Sequence, residues 1–396
     1  MPNVIVDEDF AKMYFNLSDS LKATGDAINA LKCMQDAAFI YQALKSNNYG
    51  TCLQRIGEIY FDDLGDLKQA LTTFKQENHF KKSVWQNQPT QIKIKNAYAL
   101  SCQWLGITYR EMGYLKKALV YFKEFNQLEK SLYQQAPEVG TYKYLWGISH
   151  TKLGETYRLQ GNLGKALEHF NARYQIAQEF CQTNLEEVRH KNGLAITSQF
   201  LGLTHYDGGN WTQAKHFFEQ YYQLETELHE ANPKEVYYQH LLAIACEKLG
   251  EVFIKLAQPQ QSLSYFEQSY DLRWQLNKEY PENIRFNRGI SIALEKLGEV
   301  YLYLNQLDKA FGYLEERECT IQKFWKAHPN NVTVEKGVAS SHWFLAKYYQ
   351  KKGQPAKAKH YFNKAMAGWQ KLANKFPEYD EFQRNLQEVK QILKKP

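Results

Sequence analysis

The chain reads Leu-Gly-Glu-Thr-Tyr at residues 153–157, and close variants of this pentapeptide return along the sequence at a nearly constant interval. The small second residue of each copy is the most regular position; it falls at Gly57, Gly106, Gly154, Gly202, Gly250, Gly298 and Ala346. The first step is 49 residues, and every later step is 48. A fixed period of this length indicates an array of one repeated structural unit.

Proline marks the same period a second time. It recurs at Pro89, Pro137, Pro233, Pro281, Pro329 and Pro377, and only Leu185 breaks the series. Because proline lacks a backbone N–H and disfavours helix in the residue before it, it separates one repeat from the next. Between prolines, apolar residues mark one helical face over residues 284–301 and a second over residues 307–324, on either side of a turn near Asn305. Each repeat is therefore predicted to contain two helices.

The residues at set places in these repeats resemble the tetratricopeptide repeat. One repeat carries Leu153, Gly154, Tyr157, Gly161, Ala166 and Phe170; the last carries Leu345, Ala346, Tyr349, Gly353, Ala358, Phe362 and Ala365; a shorter first one carries Leu17, Ser18, Leu21, Gly25, Ala30 and Ala37. The resemblance implies an all-α, right-handed α-solenoid of about eight helix-turn-helix repeats plus a C-terminal capping helix.

The repeat is longer than the usual tetratricopeptide unit of ~34 residues. Helices of roughly 21 residues would be about 32 Å long, so this is a long-helix variant of the kind found in bacterial arrays. We expect one solenoid domain over residues 1–396, with a shorter N-terminal repeat at 1–50, the 48-residue repeats at 51–376 and the capping helix at 377–396. The recurring glycines are predicted to be structural, since a missing side chain lets two helices approach at a cost of ~1 kcal/mol in helix propensity.

Composition is that of an ordinary soluble protein, with 44% hydrophobic and 23% charged residues. The six cysteines lie far apart and form no C-x-x-C pair, which argues against a zinc site or a disulfide framework and favours a reducing compartment. Neither a secretory signal nor a bilayer-length apolar run is visible, so we expect a cytoplasmic protein that does not contact membranes.

Positive charge is concentrated at the C-terminal end. Residues 351–396 contain eleven Lys or Arg against four Asp or Glu, a surplus of seven, whereas the whole chain has a net charge of +6. The first 350 residues therefore carry a net charge of −1. This end is either a solvated cap, as terminal repeats need a polar outer face, or an anion-binding patch.

Motifs for catalysis or cofactor binding are absent from the sequence. It contains no H-E-x-x-H, G-x-S-x-G, G-x-x-x-x-G-K-S/T or G-x-G-x-x-G, and its eleven histidines are scattered. We therefore predict no catalytic residues, no metal site, no cofactor and no enzymatic activity.

The resemblance implies that a protein partner binds to the concave face formed by the first helix of each repeat. Counting from the recurring glycine places these residues on that face: Gln103, Ile107, Arg110, Thr151, Glu155, Arg158, Gln199, Leu203, Tyr206, Glu247, Glu251, Glu295 and Glu299. The last four form an acidic strip across two adjacent repeats, which would favour a basic or amide-rich segment of a partner. The alternative is simple solvation of an exposed helix face.

Lysine and arginine recur near the start of the first helices and would form a basic ridge if the repeats stack side by side. The ridge comprises Lys93, Lys95, Lys143, Arg189, Lys191, Arg285, Arg288, Lys336 and Arg384. It could bind an anion such as a nucleic-acid phosphate, or an acidic partner.

These observations favour a protein-protein interaction scaffold or regulatory subunit that binds a segment or domain of an effector partner in trans. One alternative is a subunit or sensor of a nucleic-acid-associated or bacterial defence complex that uses the basic ridge and the C-terminal cap. Another is an intracellular peptide receptor.

Overall fold

A computed structural model of the chain describes residues 7–183, 188–281, 283–327 and 331–394. Over these residues the chain forms seventeen α-helices, arranged as eight successive helix-turn-helix pairs followed by one last helix, together with a short π-helix, Ile59–Asp63. The all-α repeat fold predicted from the sequence is confirmed.

The helices alternate between a first and a second helix of each repeat. The first helices are α1 (Glu8–Ala23), α3 (Asn48–Glu58), α5 (Ile92–Glu111), α7 (Gly140–Leu159), α9 (Val188–Asp207), α11 (Val236–Lys255), α13 (Ile284–Tyr303) and α15 (Val332–Lys351). The second helices are α2 (Ala27–Ala43), α4 (Leu67–Asn87), α6 (Leu115–Gln135), α8 (Leu163–Thr183), α10 (Trp211–Ala231), α12 (Pro259–Glu279), α14 (Leu307–Ala327) and α16 (Pro355–Lys375). The last helix is α17 (Asp380–Lys394).

Contacts between Cα atoms divide the chain into two compact parts, which we call the N-terminal lobe (Met1–Thr156) and the C-terminal lobe (Tyr157–Pro396). The single domain predicted for residues 1–396, with internal boundaries after residues 50 and 376, stays a prediction.

The helices repeat with the period of the sequence. From α4 onward, each second helix begins 48 residues after the previous one, and the same holds for the first helices from α5 to α17. The turn between the two helices of a repeat contains a residue with positive φ, at Gly113, Gly161, Gly209, Ala257, Asn305 and Gly353. At Ala257, with φ of 57°, a residue with a Cβ atom holds a conformation that favours glycine.

The prolines lie between the repeats. Pro89, Pro137, Pro233, Pro281 and Pro377 all follow a second helix and precede the next first helix. Pro329 and Leu185, which belong to the same series, lie outside the described residues.

The recurring glycines face large side chains of the second helix in the same repeat. A Cβ atom added to Gly57, Gly106 or Gly250 would lie 2.4 Å from a ring carbon of Phe74, Phe122 or Phe266, respectively. At Gly202 the corresponding distance to Phe218 is 2.5 Å, and at Gly298 the contact is with Leu314 at 2.5 Å. The missing side chain therefore makes room for an aromatic or leucine side chain, and not for the backbone of the neighbouring helix as the sequence suggested.

The two ends of the C-terminal lobe meet. An added Cβ on Gly161, in the turn between α7 and α8, would lie 3.1 Å from Cγ of Asp380, the first residue of α17. Beside this contact, Lys336 Nζ lies 2.6 Å from Glu381 Oε1. On its other face α17 packs Phe382, Leu386 and Val389 against the apolar residues of α16. The last helix therefore caps the final repeat and also touches the start of its lobe.

The first helices of the C-terminal lobe line a common inner surface. Helix α13 contacts both α11 and α15, so first helices of neighbouring repeats touch each other directly. Lys347 on α15 interacts electrostatically with Glu299 on α13, Lys255 on α11 and Glu388 on α17. The first helices of three successive repeats and the last helix, α17, thus converge on one space, which we call the inner surface.

Candidate functional site

The residues predicted for the concave face lie on the first helices, and several of them connect one repeat to the next. In the N-terminal lobe, Arg110 on α5 forms an ion pair with Glu155 on α7. In the C-terminal lobe, Arg158 Nη1 lies 2.7 Å from Asp207 Oδ2 on α9. Since these side chains are engaged within the protein, their regular spacing reflects contacts between repeats.

The predicted acidic strip is not an unpaired negative surface. Lys248 Nζ contacts Glu247 and Glu251 at 2.7 and 2.9 Å. Lys296 Nζ lies 2.7 Å from Glu251 and 3.5 Å from Glu299. Glu247, Glu251 and Glu299 are therefore matched by cations at close range within the protein, and binding of a partner by this strip stays a prediction.

Two buried arginines from the second helices complete this network. Arg273 on α12 pairs with Glu247, and Arg317 on α14 pairs with Glu295; both arginines are 3% exposed. Burial of Glu247 opposes ionisation, yet Lys248 and Arg273 hold the pKa of this carboxyl well below its ordinary value. The sequence could not reveal these partners, because they come from other helices.

The other predicted concave-face residues are less polar or less exposed than expected. Gln103, Ile107, Gln199, Leu203 and Tyr206 are half-buried, and Thr151 is buried, with its hydroxyl 3.4 Å from the carbonyl oxygen of Gly147. Burial raises the pKa of Tyr206, which also faces Glu251. Among these residues, Leu203 and Tyr206 pack against the core formed by Phe218, Leu249 and Phe253.

The basic ridge is interrupted by internal pairing. Lys95 is 7% exposed, and its Nζ donates a hydrogen bond to Ser131 Oγ at 2.6 Å. Lys191 lies 2.9 Å from Glu227. In both pairs the partner on the second helix lies 36 residues after the lysine on the first helix. Glu335 and Lys371 form the same pairing with the charges exchanged, at 2.8 Å. Lys95 and Lys191 therefore join the two helices of their repeats.

The remaining ridge residues differ in their surroundings. Lys336 pairs with Glu381, and Arg384 Nε lies 2.6 Å from Asp380. Lys143 Nζ lies 5.8 Å from the ring of Tyr133. The exposed members are Lys93, Arg189, Arg285, Arg288 and Arg384. The ridge is therefore not a continuous row of free cations, and anion binding by it stays a prediction.

A cleft that the sequence did not reveal lies between α3, α4 and α5 of the N-terminal lobe. It has a volume of about 310 Å³. Its polar lining consists of Asn47, Asn48, Thr51, Gln54, Lys81, Lys93 and Asn96, and its apolar lining of Phe80, Val84, Ile94, Ala97 and Leu100. Of these lining residues the sequence indicates only Lys93, because the carboxamide side chains of the early repeats do not share one position of the period.

Hydrogen bonds fix the polar side of this cleft. Lys81 Nζ donates to Gln54 Oε1 at 3.0 Å and to Glu77 Oε1 at 2.5 Å. Burial raises the pKa of Glu77 to about 7. The side-chain oxygen of Asn96 is buried without a hydrogen-bond partner. An amide side chain both donates and accepts hydrogen bonds, so this lining suits the peptide groups of another chain.

Comparison with protein families places residues 339–367 in the tetratricopeptide repeat family. This segment contains the last copy of the recurring small position, Ala346, and its partner Phe362 in the second helix. The chain therefore contains a tetratricopeptide repeat. Comparison with curated protein sequences gives no match.

Solved structures similar to this chain share its fold at low sequence identity. The apo form of RapI has a TM-score of 0.58 at 12% identity, over 97% of this chain and 98% of RapI. A Rap protein complexed with competence and sporulation factor has a TM-score of 0.51 at 12% identity, over 98% and 99% of the two chains. A signal transduction ATPase of Pyrococcus horikoshii with a tetratricopeptide repeat sensor has a TM-score of 0.56 at 14% identity, over 97% of this chain and 50% of the ATPase.

Membrane-spanning helices, metal-binding clusters and disulfides are absent from the described residues. Within them, no helix is both long and apolar enough to cross a membrane. The same part of the chain contains no cluster of three His, Cys, Asp or Glu side chains placed to hold a metal ion. All six cysteines are free thiols.

Proposed function

We propose that this chain is a non-enzymatic interaction scaffold or regulatory subunit that holds an extended segment of a partner protein on its first helices. The observation that carries the proposal is the cleft of the N-terminal lobe, where the side chains of Asn47, Asn48, Gln54 and Asn96 converge. A tetratricopeptide-repeat fold supports protein interaction in general. A cytoplasmic location is part of the proposal and agrees with six unpaired cysteines.

The cleft is suited to a main chain more than to a particular side chain. The backbone N–H and C=O groups of an extended peptide have no hydrogen-bond partners within the peptide. Carboxamide side chains can pair with both kinds of group. The apolar floor, with Phe80 and Val84, would cover alternate side chains of the bound segment. The structural neighbour that is complexed with competence and sporulation factor supports the narrower form of the proposal, in which the bound molecule is a short free peptide.

A displayed library of random twelve-residue peptides tests the proposal. Enriched peptides should bind the purified chain in fluorescence anisotropy and should slow hydrogen exchange in α3, α4 and α5. Asn96→Leu should weaken binding about tenfold, since it removes an amide from the lining. Asn171→Leu, the same change at an exposed position of α8, should have no effect.

Two results would contradict the proposal. The first is a library that yields no peptide above background, and the second is protection confined to the outer faces of the second helices.

The alternative of a nucleic-acid-associated or defence complex draws on the surplus of seven positive charges in residues 351–396. Lys357, Lys359 and Lys364 are exposed on α16 and could contact phosphates. Capture of partners with and without nuclease distinguishes the two functions, because a partner held through nucleic acid is released by the enzyme.

A further inference from the structure

Three arginines and a histidine come together in the C-terminal lobe, near the starts of α11 and α13. His240 on α11 places its ring 5.8 Å from the ring of Phe286 on α13, and Phe286 is flanked in sequence by Arg285 and Arg288. Arg273 reaches the same place from α12, where its Nη1 donates a hydrogen bond of 3.0 Å to the carbonyl oxygen of Gly289. The group is assembled from three helices of two neighbouring repeats.

The cluster has more positive charge than its surroundings neutralise. Arg273 pairs with Glu247, which is also held by Lys248. Arg285 and Arg288 are exposed and form no ion pair within the described part of the chain. Glu247 is therefore already neutralised by Lys248 and Arg273. The exposed guanidinium groups of Arg285 and Arg288 are available to an added anion.

Polar atoms inside the cluster lack partners as well. His240 is 9% exposed and Arg273 is 3% exposed, and His240 Nδ1 and Arg273 Nε are both buried without a hydrogen bond. Burial, together with Arg273, Arg285 and Arg288, lowers the pKa of His240 to about 4, and Glu247 opposes this shift. The imidazole is therefore neutral at pH 7, so it can donate a hydrogen bond without adding a charge.

A row of aliphatic side chains runs beside the cluster. Ile244 follows His240 by four residues on α11, and Ile292 follows Arg288 by four residues on α13. Both isoleucines are half-buried, and Ile196 holds the same place on α9. Four residues of helix advance ~6 Å. An extended peptide advances ~3.3 Å per residue, so side chains two residues apart would reach the cluster and the isoleucine row together.

We propose that His240, Arg285 and Arg288 bind the side-chain carboxylate of a partner segment whose aliphatic side chain two residues away packs between Ile244 and Ile292. This rests on the proposed function, because it names the kind of segment that the scaffold holds. Alternate residues of an extended chain point to the same side, so the spacing of the two side chains fits one binding surface.

A side-chain carboxylate fits this site better than a nucleic-acid backbone does. The position of Arg288 in its repeat is occupied by Asn192 on α9. On α15 it is occupied by Lys336, which is paired with Glu381. Successive phosphates would therefore find no continuous series of cations. The isoleucine row also offers no polar group to a sugar, whereas it matches Ile, Leu or Val.

Library peptides that slow hydrogen exchange in α11 and α13, as distinct from those that protect α3, α4 and α5, test this inference. If no enriched peptide protects α11 and α13, the inference is overturned. The peptides that protect these two helices should carry Asp or Glu two residues from Ile, Leu or Val. In the best of them, replacing the acid with its amide should weaken binding to the wild-type chain about tenfold or more, as expected for charge-assisted hydrogen bonds.

Variants of the chain then assign the contact. Arg285→Gln with Arg288→Gln should weaken the acidic peptide to the same extent and should bind the amide peptide as well as the wild-type chain does. Lys357→Gln with Lys364→Gln removes two charges from an exposed part of α16 and should bind the acidic peptide normally. Ile244→Ala with Ile292→Ala should abolish the preference for the aliphatic residue while the acidic preference remains.

The outcomes separate this inference from the proposed function. Peptides that bind without an acidic preference, or that bind the double arginine variant unchanged, would overturn the inference and leave the scaffold function standing. A library without any binding peptide would overturn both.

Discussion

Replacing Gly202 with alanine should destabilise the middle of the C-terminal lobe, although alanine favours helix. The new methyl carbon would lie 2.5 Å from two ring carbons of Phe218, about 1 Å closer than the ~3.5 Å of ordinary contact. Phe218 is 0% exposed, so its ring has no vacant space to occupy. Overpacking of this kind costs ~1–3 kcal/mol, against a gain of ~1 kcal/mol in helix propensity. The expected net loss is about 1 kcal/mol.

Gly312→Ala is the matched control. Gly312 lies within α14, is exposed, and has no atom within 4 Å of an added Cβ. This variant should gain the ~1 kcal/mol of helix propensity without any clash. Because the propensity gain is common to both variants, the difference in their free energies of unfolding isolates the overpacking cost of ~1–3 kcal/mol.

Urea denaturation followed by circular dichroism gives the free energy of unfolding of each variant. Since repeat arrays can unfold in parts, hydrogen exchange should also be measured, and faster exchange is expected in α9 and α10 of the Gly202→Ala variant. Equal stabilisation by both substitutions would refute the contact between the glycine position and the aromatic ring.

Three other predictions concern a buried carboxyl group, an ion pair between two helices and a strained turn. Burial raises the pKa of Glu225 to about 8, so between about pH 5 and pH 8 the native state holds a proton that the unfolded state has released, and the wild type loses stability as the pH rises. Glu225→Gln should make this loss smaller. Melting temperatures of the variant and the wild type across this range measure the difference. Lys191→Glu should cost up to about 1 kcal/mol, and adding Glu227→Lys should restore the loss, as determined by urea denaturation of the single and double variants; a double variant as unstable as the single one would contradict the pairing. Ala257→Gly should raise the free energy of unfolding by about 1 kcal/mol, because glycine adopts the positive φ without strain. Gly209→Ala, at the matching turn position, should lower it in the same assay. If both variants change the free energy of unfolding in the same direction, backbone strain is excluded as the cause.

The repeat fold could be predicted because two local signals share one period. A small residue is needed beneath each large side chain, and a proline or turn residue ends each helix, so both signals depend on positions within a single repeat. The helix starts keep the 48-residue step for the same reason. The first repeats depart from it because α3 is short and continues as a π-helix.

The binding surface was harder to predict because its polar side chains are paired with residues far along the chain. Glu295 accepts a hydrogen bond from Ser340, which lies 45 residues away on α15, and also pairs with Arg317 on α14. Which of these groups meet depends on the rotation from one repeat to the next, and that rotation has no signal in the sequence period. Charge pattern alone therefore does not reveal the partners of Glu295, and the period does not reveal the amide-lined cleft.

The contact between Gly161 and Asp380 limits how many repeats the C-terminal lobe can contain. In an open array each end has one neighbour, so a repeat can be gained or lost at little cost to the others. Here residues 219 positions apart in sequence meet, and α17 has neighbours on two sides. Adding or removing 48 residues between them would move one end away from the other. The length of this lobe is therefore set by geometric closure, much as the number of strands is set in a barrel.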